Sequence, residues 1–387
     1  MYKMRVYLDN GATTKVAEEV LQEILPYFTV KYGNASSLHS FGQEAKKALE
    51  EARDIIAKQI NASPQEIVFT SGGSEANNTA IKGVAYANKD KGNHIITSKI
   101  EHPSVFGTLN DLQKDGFKIT YLNVDEEGFV DLEQLKREIN ENTILVTIMH
   151  ANNEIGTIEP IEEIGKICME KNIPFHTDAV QSFTKVPLDV KKMNIDLASF
   201  SAHKIHGPKG VGALYIKKGT KIKKLIHGGS QEASLRAGTE NIAGIVGFAK
   251  AATLTTKRDT EKITELRDSF IREIEKQIPE VKLNGPRKNR LCNNINISFK
   301  FIEGEGLLMR LDLERIAVST GSACSQRDLK PSYVLLSIGL NHVTSHGSIR
   351  FTLSRYTTEK EMGYTIQKLK KIVADLRKIS PLAEVKK

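Results

Sequence analysis

Short apolar runs alternate with amphipathic segments through the first two thirds of the chain. The runs have the length and composition of buried strands, whereas the segments between them repeat their apolar residues at helical spacing. The predicted strands occupy residues 67–70, 94–98, 118–122, 144–149, 174–176 and the regions around Ser199 and Ala213. Strands that alternate with helices in this way predict a mostly parallel sheet enclosed by helices.

The pattern changes near Ala251, where a long charged helical segment begins. Beyond it the chain predicts short strands and helices without regular alternation, which is typical of a smaller α+β unit. We therefore predict an α/β fold of two domains, a large one at residues 14–257 and a small one formed by residues 1–13 together with 258–387.

Polar clusters follow several of the predicted strands. Because the carboxyl ends of parallel strands lie at one edge of a sheet, we expect these clusters to form one ligand site. They contain His102, Asn153, Asp178, Gln181 and Lys204. Taken singly, each residue has an ordinary structural explanation, such as a helix cap, a turn residue or a solvated lysine.

The chemistry of the combined set is more specific. A lysine in a tight loop can lose its proton and attack a carbonyl, and Asp178 can pair with a protonated ring nitrogen. Gly73 and Ser74 begin a predicted helix, where backbone N–H groups bind anions. An aldehyde, a pyridinium nitrogen, a phenolic oxygen and a phosphate occur together in pyridoxal 5′-phosphate (PLP), which is the cofactor we predict.

The second domain contributes two candidates. Cys324 lies in a run of small polar residues that suits a mobile thiol nucleophile, although for a cysteine taken alone an ordinary loop residue is the commoner case. Arg350 lies on a predicted strand, where it would bind a carboxylate or form a structural ion pair. Cys168 and Cys292 lie in apolar surroundings, and we expect them to be unreactive packing residues.

The composition excludes several other classes of protein. The chain has 387 residues, of which 40% are hydrophobic and 26% charged, as in ordinary globular proteins. Its three cysteines fit no zinc or disulfide pattern, and no signal peptide or membrane span is visible, so we predict a cytoplasmic protein without a resident metal. The formal net charge of +8 comes from lysines spread along helices, which does not indicate a nucleic-acid surface.

A set of motifs resembles the cysteine desulfurases of the NifS/IscS kind, which are class V members of the fold-type I PLP enzymes. The similarity extends from residue 6 to about residue 383. The motifs are YLDNGATT at 7–14, SGGSEANN at 71–78, MHANNEIG at 149–156, DAVQ at 178–181, SFSAHK at 199–204, RAGTEN at 236–241 and GSAC at 321–324. Ser74 stands where threonine is commoner in the family, and we expect the chain to lack the longer C-terminal tail of IscS-type members.

The resemblance implies a role for each candidate. Lys204 would form the Schiff base with PLP, Asp178 would contact the ring nitrogen, and His102 would stack on the ring as an acid–base group. Arg350 and Asn153 would bind the substrate carboxylate, and Cys324 would accept sulfur as a persulfide. The remaining cofactor contacts implied are Gln181 and Asn153 near the phenolic oxygen, Gly73, Ser74, Ser201 and His203 at the phosphate, and Thr239 from a second subunit.

The resemblance also implies an aspartate aminotransferase-like fold, a homodimer, L-cysteine as substrate and L-alanine as product. Sulfur would pass to a scaffold protein of the IscU/NifU kind for iron–sulfur cluster assembly, or to other acceptors, with tRNA reached only indirectly and no membrane contact. It leaves open a part for Cys324 in ligating a transient iron–sulfur cluster. The alternatives are a class V aminotransferase or selenocysteine lyase, and a basic scaffold or nucleic-acid-binding protein.

Overall fold

A seven-stranded sheet forms the centre of the structure, a computed structural model that describes residues 4–320 and 331–381. Its strand order is β2-β8-β7-β6-β5-β3-β4, and only β8 runs antiparallel to its neighbours. These strands are β2 (Ile67–Thr70), β3 (His94–Ser98), β4 (Lys118–Leu122), β5 (Thr143–Thr147), β6 (Phe175–Asp178), β7 (Leu197–Ser201) and β8 (Gly212–Ile216).

Helices cover both faces of this sheet. Successive residues of a strand point to opposite faces, so Ile96 packs with α3 and α8 whereas Ile95 packs with α4 and α5. The helices are α1 (Glu18–Ile24), α2 (Pro26–Thr29), α3 (Ser40–Lys58), α4 (Gly73–Ala87), α5 (Pro103–Lys114), α6 (Leu132–Glu138), α7 (Ile161–Glu170), α8 (Ile242–Ala252), α9 (Lys257–Gln277), α10 (Gly304–Leu313), α11 (Tyr333–Ser337), α12 (His342–His346) and α13 (Glu359–Ile379).

A separate apolar core joins the two ends of the chain. Val6 and Leu8 are buried against residues of α9, α10 and α13. Two small sheets belong to this region, one of order β1-β11 and one of order β12-β10-β9. Their strands are β1 (Val6–Tyr7), β9 (Val281–Leu283), β10 (Asn294–Phe299), β11 (Ile316–Ala317) and β12 (Ser348–Thr352). The division into two domains at particular residues remains a prediction.

The structure confirms the mostly parallel sheet and corrects some elements. The sequence of residues 18–28 predicts a single helix, but α1 ends at Ile24 because Pro26 has no N–H for a helical hydrogen bond. Helix α8 was not predicted, since almost all of its residues are buried and it lacks an amphipathic pattern. Strand β9 and helix α12 were also missed. Within the described ranges, no helix combines the length and apolarity that crossing a bilayer requires.

Candidate active site

The polar clusters meet at the carboxyl ends of β3, β5, β6 and β7, as predicted. There they enclose a cavity of about 300 Å³. The residues that line it are Gly11, Ala12, Gly73, Ser74, Asn77, His102, Ser104, Met149, Ala151, Asn153, Asp178, Val180, Gln181, Ser201, His203, Lys204 and Arg350. All the predicted cofactor and substrate contacts lie here except Thr239.

Lys204 is positioned by a short turn and by the N-terminal segment. Strand β7 ends at Ser201, and one turn of 3-10 helix then carries Lys204 into the cavity. Its Nζ donates hydrogen bonds to the carbonyl oxygens of Gly11 at 2.5 Å and Ala12 at 2.8 Å. The amine is therefore directed toward the cavity by backbone acceptors.

Asp178 is held at the end of β6 by two donors. Its Oδ2 accepts from Asn77 Nδ2 at 2.6 Å, and its Oδ1 accepts from the backbone N–H of Val180 at 3.0 Å. Because the side chain is only 5% exposed, these donors stabilise the carboxylate against the cost of burial. Nearby, Gln181 Nε2 donates to the carbonyl oxygen of Gly11 at 3.1 Å.

An anion cradle lies at the start of α4. Gly72, with φ of 155°, turns the chain from β2 into the helix, and no side chain caps the first turn. A Cβ atom on Gly73 would lie 2.6 Å from Val180 Cγ2, so a larger residue would fill the cavity here. The uncapped N–H groups of a helix start, beside the hydroxyls of Ser74 and Ser201, suit a phosphate.

Two histidines of the cavity are kept neutral. Burial lowers the pKa of His203 to about 4, helped by the positive charges of Lys204 and Lys209. The pKa of His102 is also lowered, mainly by burial and further by Lys204, while Asp178 acts in the opposite direction. Both imidazoles therefore act near neutral pH as hydrogen-bonding groups rather than as fixed cations.

Arg350 reaches the cavity from β12. It is 4% exposed, its Nη2 lies 3.1 Å from Asp9 Oδ1, and its Nη1 donates to the carbonyl oxygen of Asn153 at 3.1 Å. Among the residues that the structure describes, its Nε has no hydrogen-bond partner. A buried N–H without a partner is costly, so this edge of the guanidinium suits a ligand carboxylate.

Sequence reasoning missed part of this site. Asn77 and Ser104 lie on helices α4 and α5, and neither was singled out, although Asn77 falls within the motif at 71–78. The backbone carbonyls of Gly11 and Ala12 were missed as acceptors for Lys204, since nothing in a sequence distinguishes one carbonyl from another. The polar residues that follow β1 are the sequence feature that could have indicated that this segment reaches the cavity.

Comparison with known proteins identifies the family. The family profile described as Aminotransferase class-V matches residues 6–364. A cysteine desulfurase IscS of Dictyoglomus turgidum is 58% identical over 382 residues, covering 98% of this chain and 97% of the relative. The chain belongs to the cysteine desulfurases of the class V aminotransferase family. A cysteine desulfurase IscS of Methanosarcina thermophila, another member, is 50% identical over 380 residues, covering 97% of this chain and 94% of the relative.

Solved structures of this family have the same fold. One described as a NifS-like protein superimposes with a TM-score of 0.91 at 40% identity, covering 96% of this chain and 100% of that one. Another, described as SspA in complex with cysteine, gives a TM-score of 0.82 at 39% identity, covering 92% of this chain and 100% of that one. The predicted fold type and family are thereby confirmed.

Class V enzymes of this kind use PLP, and the residues present fit it. The cavity offers a lysine for covalent attachment, a buried carboxylate for the ring nitrogen and an uncapped helix start for the phosphate. Asn77 Oδ1 is buried without a hydrogen-bond partner among the described residues, which is consistent with a site completed by a ligand.

The remaining predicted site residues are Cys324 and Thr239. Cys324 lies outside the described residues, so its position relative to the cavity remains a prediction. Thr239 is exposed and does not line the cavity of its own chain. Cys168 and Cys292 are buried, and burial raises the pKa of both thiols, that of Cys168 to about 12. Neither is suited to act as a thiolate nucleophile.

The described residues on either side of positions 321–330, which include Cys324, form hydrogen bonds with residues in or next to the cavity wall. On one side, Ser319 exchanges backbone hydrogen bonds with Arg350 at 3.2 and 2.7 Å. On the other, Ser332 Oγ donates to the buried carboxylate of Glu154 at 2.5 Å, and Tyr333 donates to the carbonyl oxygen of Glu101 at 2.5 Å. The described residues on either side of positions 321–330 therefore lie close to Arg350, Asn153 and His102.

Proposed function

We propose that this cysteine desulfurase, which converts L-cysteine to L-alanine, carries the released sulfur on Cys324. The observation that supports this most is the joint presence of Lys204, Asp178, His102 and Arg350 around one cavity, in a chain that belongs to the desulfurase family. When bound, PLP supplies an electron sink that stabilises negative charge on the substrate carbon.

The side chains of the cavity would bind the substrate and the cofactor and hold the protons of the reaction. Arg350 and the Asn153 amide would bind the substrate carboxylate and orient its Cα toward Lys204. Asp178 would hold the proton on the cofactor's ring nitrogen, and His102 would hydrogen-bond the reacting groups from the cavity wall. Gly73, Ser74, Ser201 and His203 would hold the phosphate. These assignments follow the geometry of the cavity and the motifs of the sequence.

The sulfur step balances without an external oxidant. The thiolate of Cys324 attacks the substrate sulfur, forming an S–S bond while the C–S bond breaks. The electron pair of the C–S bond remains on the substrate carbon, which is protonated to give alanine. The enzyme retains a persulfide, which a second thiolate on an acceptor protein then attacks. We propose an iron–sulfur scaffold protein of the IscU/NifU kind as that acceptor.

Two variants test the proposal. The purified protein should show the visible absorbance band of lysine-bound PLP, and it should release alanine and sulfide from L-cysteine in the presence of a reductant. Lys204→Ala should remove both the band and the activity, while Cys324→Ser should keep the band and lose sulfide release. An aminotransferase would instead keep its activity in Cys324→Ser. A protein that binds no PLP after reconstitution would refute the proposal.

We also propose that the active form is a homodimer in which Thr239 serves the cavity of the other subunit. Support comes from the exposure of Thr239 and from an apolar surface on residues 21–41. Its large exposed side chains are Leu21, Leu25, Phe28, Val30, Tyr32, Leu38 and Phe41. Exposed apolar surface of this extent is typical of protein interfaces.

Mixing inactive variants tests this arrangement. A dimer of one Lys204→Ala subunit and one Thr239→Val subunit contains one cavity with both native residues if Thr239 acts across the interface. Unfolding and refolding the two variants together should then restore activity, which neither variant shows alone. If Thr239 acts in its own chain, or if the protein is an active monomer, the mixture stays as inactive as its components.

A further inference from the structure

His102 is the N-cap of helix α5, and this fixes the chemistry of one ring nitrogen. Its Nδ1 accepts a hydrogen bond from the backbone N–H of Ser104 at 3.1 Å. A backbone amide can only donate, so Nδ1 must present its lone pair and cannot carry the proton of the neutral ring. The cap itself is ordinary for the start of a helix. Because His102 also lines the active-site cavity, the cap determines which of its ring nitrogens can take part in the reaction as a donor.

A second donor reaches the same nitrogen. The hydroxyl of Ser104 lies 2.8 Å from His102 Nδ1, and a hydroxyl can either donate or accept. The hydrogen bonds of Asn77 determine whether the Ser104 hydroxyl donates to His102 or accepts from it. The Nδ2 of Asn77 donates to Ser104 Oγ at 2.9 Å and to the Asp178 carboxylate at 2.6 Å. Ser104 Oγ therefore receives a hydrogen from Asn77, and its own hydrogen is left for Nδ1.

The orientation of the Asn77 amide is also determined. The opposite orientation would place its carbonyl oxygen against the Asp178 carboxylate, and two acceptors at that distance repel each other. The amino group must therefore face Asp178 and Ser104. The chain of hydrogen bonds runs in one direction, with Asn77 donating to Asp178 and to Ser104, and Ser104 donating to His102.

We propose that Ser104 is a positioning residue, ordered by Asn77, that locks His102 in the tautomer with its proton on Nε2. His102 then enters the reaction as a neutral hydrogen-bond donor through Nε2–H. Accepting a proton at Nε2 would first require this tautomer to change. His203 also lines the cavity, but burial lowers its pKa to about 4, so removal of the Cα proton falls to Lys204. This division of roles rests on the proposed function; the tautomer itself does not.

The tautomer can be measured without any turnover. In the full-length, PLP-loaded protein labelled with ¹⁵N-histidine, the His102 resonances are identified by their loss in His102→Gln. At neutral pH, Nδ1 should have the chemical shift of an unprotonated nitrogen and Nε2 that of a protonated one. A proton on Nδ1 in the native protein would overturn the proposal, and this comparison needs no folded Ser104 variant.

Variants of Ser104 then separate positioning from folding. Ser104→Ala retains the backbone N–H but removes one donor to Nδ1, so the pKa of His102 should rise by roughly 0.5–1 unit. Ser104→Thr should restore the native value. The charged groups that act on His102 from other elements are Asp178 and Lys204, and both remain in place. The pH profile of kcat/KM should shift with the NMR titration.

Thr108→Val is the matched control. Its buried hydroxyl lies on the same helix and donates to the Ser104 carbonyl oxygen at 2.7 Å, away from the imidazole. This variant should leave the pKa and tautomer of His102 unchanged. An equal shift in Thr108→Val and Ser104→Ala would show a merely structural effect and refute the positioning role. If the tautomer is as proposed but His102→Gln leaves kcat unchanged, the proposed role of His102 fails and the hydrogen-bond chain stands.

Discussion

A buried ion pair anchors the segment that carries Thr239, and breaking it should cost much of the protein's stability. Glu232 accepts from Arg53 Nη1 and Nη2, both at 2.8 Å, and from the backbone N–H of Phe69 at 2.7 Å. Both ionic side chains belong to residues that are 8% exposed. The guanidinium also donates to the Ile67 carbonyl oxygen at 2.7 Å and lies over the Phe69 ring.

The anchored segment has a strained backbone. Glu232, Ala233 and Ser234 have φ angles of 47°, 53° and 66°. Each such residue costs about 1–2 kcal/mol when it is not glycine. The bidentate pair with Arg53 must therefore offset strain in the turn that leads to Arg236 and Thr239. The same contact ties this turn to the edge strand β2.

Replacing Arg53 by methionine removes the partner and leaves a buried carboxylate. Breaking a buried pair in this way typically destabilises a protein by about 3–5 kcal/mol, because the remaining charge has lost its compensation. Arg53→Met combined with Glu232→Gln should recover a large part of that loss, since no buried charge is then unpaired. The coupling between the two sites should be about 1–3 kcal/mol.

Denaturant unfolding of the two single variants and the double variant measures this coupling. Lys136→Met is the control, because the exposed pair of Lys136 with Glu133 should contribute less than about 1 kcal/mol. If the proposed role of Thr239 is correct, Arg53→Met should also weaken PLP binding in a reconstitution titration. A cost of less than about 1 kcal/mol for Arg53→Met would refute the reasoning, because it would mean that Glu232 finds water or another partner.

Three further changes have defined outcomes. Ala233→Gly should raise the free energy of unfolding by about 0.5–1 kcal/mol, because φ of 53° is costly for alanine and open to glycine; denaturant unfolding measures it. Burial raises the pKa of Glu101 to about 8, so the folded chain holds this proton more tightly than the unfolded chain and stability falls as pH rises from about 5 to about 8. Glu101→Gln should flatten that fall in urea midpoints recorded against pH, and an unchanged slope would contradict it. Gly73→Val should abolish PLP binding, because a Cβ at this position would lie 2.6 Å from Val180 Cγ2; a variant that keeps native-like circular dichroism and still binds PLP would contradict the proposed phosphate site.

Much of the site could be predicted because a parallel sheet brings distant residues together. His102, Asn153, Asp178 and Lys204 are widely separated in the chain, yet each ends or follows a strand. Once the alternation of strands and helices predicts a parallel sheet, their carboxyl ends must share one edge. The sequence therefore places these side chains around one cavity without any distance being known. The motif at 199–204 then distinguishes Lys204 from the other lysines.

Contacts that depend on three-dimensional distances could not be predicted. The N-terminal segment reaches the cavity through the carbonyls of Gly11 and Ala12, which have no side-chain signature. Helix α8 is buried on nearly all sides, so its pattern does not show which face meets the sheet. The direction of the hydrogen bonds from Asn77 through Ser104 to His102 can be assigned only when the distances between donors and acceptors are known.

Two polar groups of the cavity wall form no hydrogen bond within the described part of the protein. Arg350 Nε and Asn77 Oδ1 are buried without hydrogen-bond partners among the described residues. Each such group costs about 1–3 kcal/mol if nothing binds it, so a chain selected for stability alone would replace them. Proteins keep costs of this kind where a ligand removes them. PLP and the substrate carboxylate should therefore stabilise the folded chain by more than their contact area suggests, since they also supply partners for groups that folding has already desolvated.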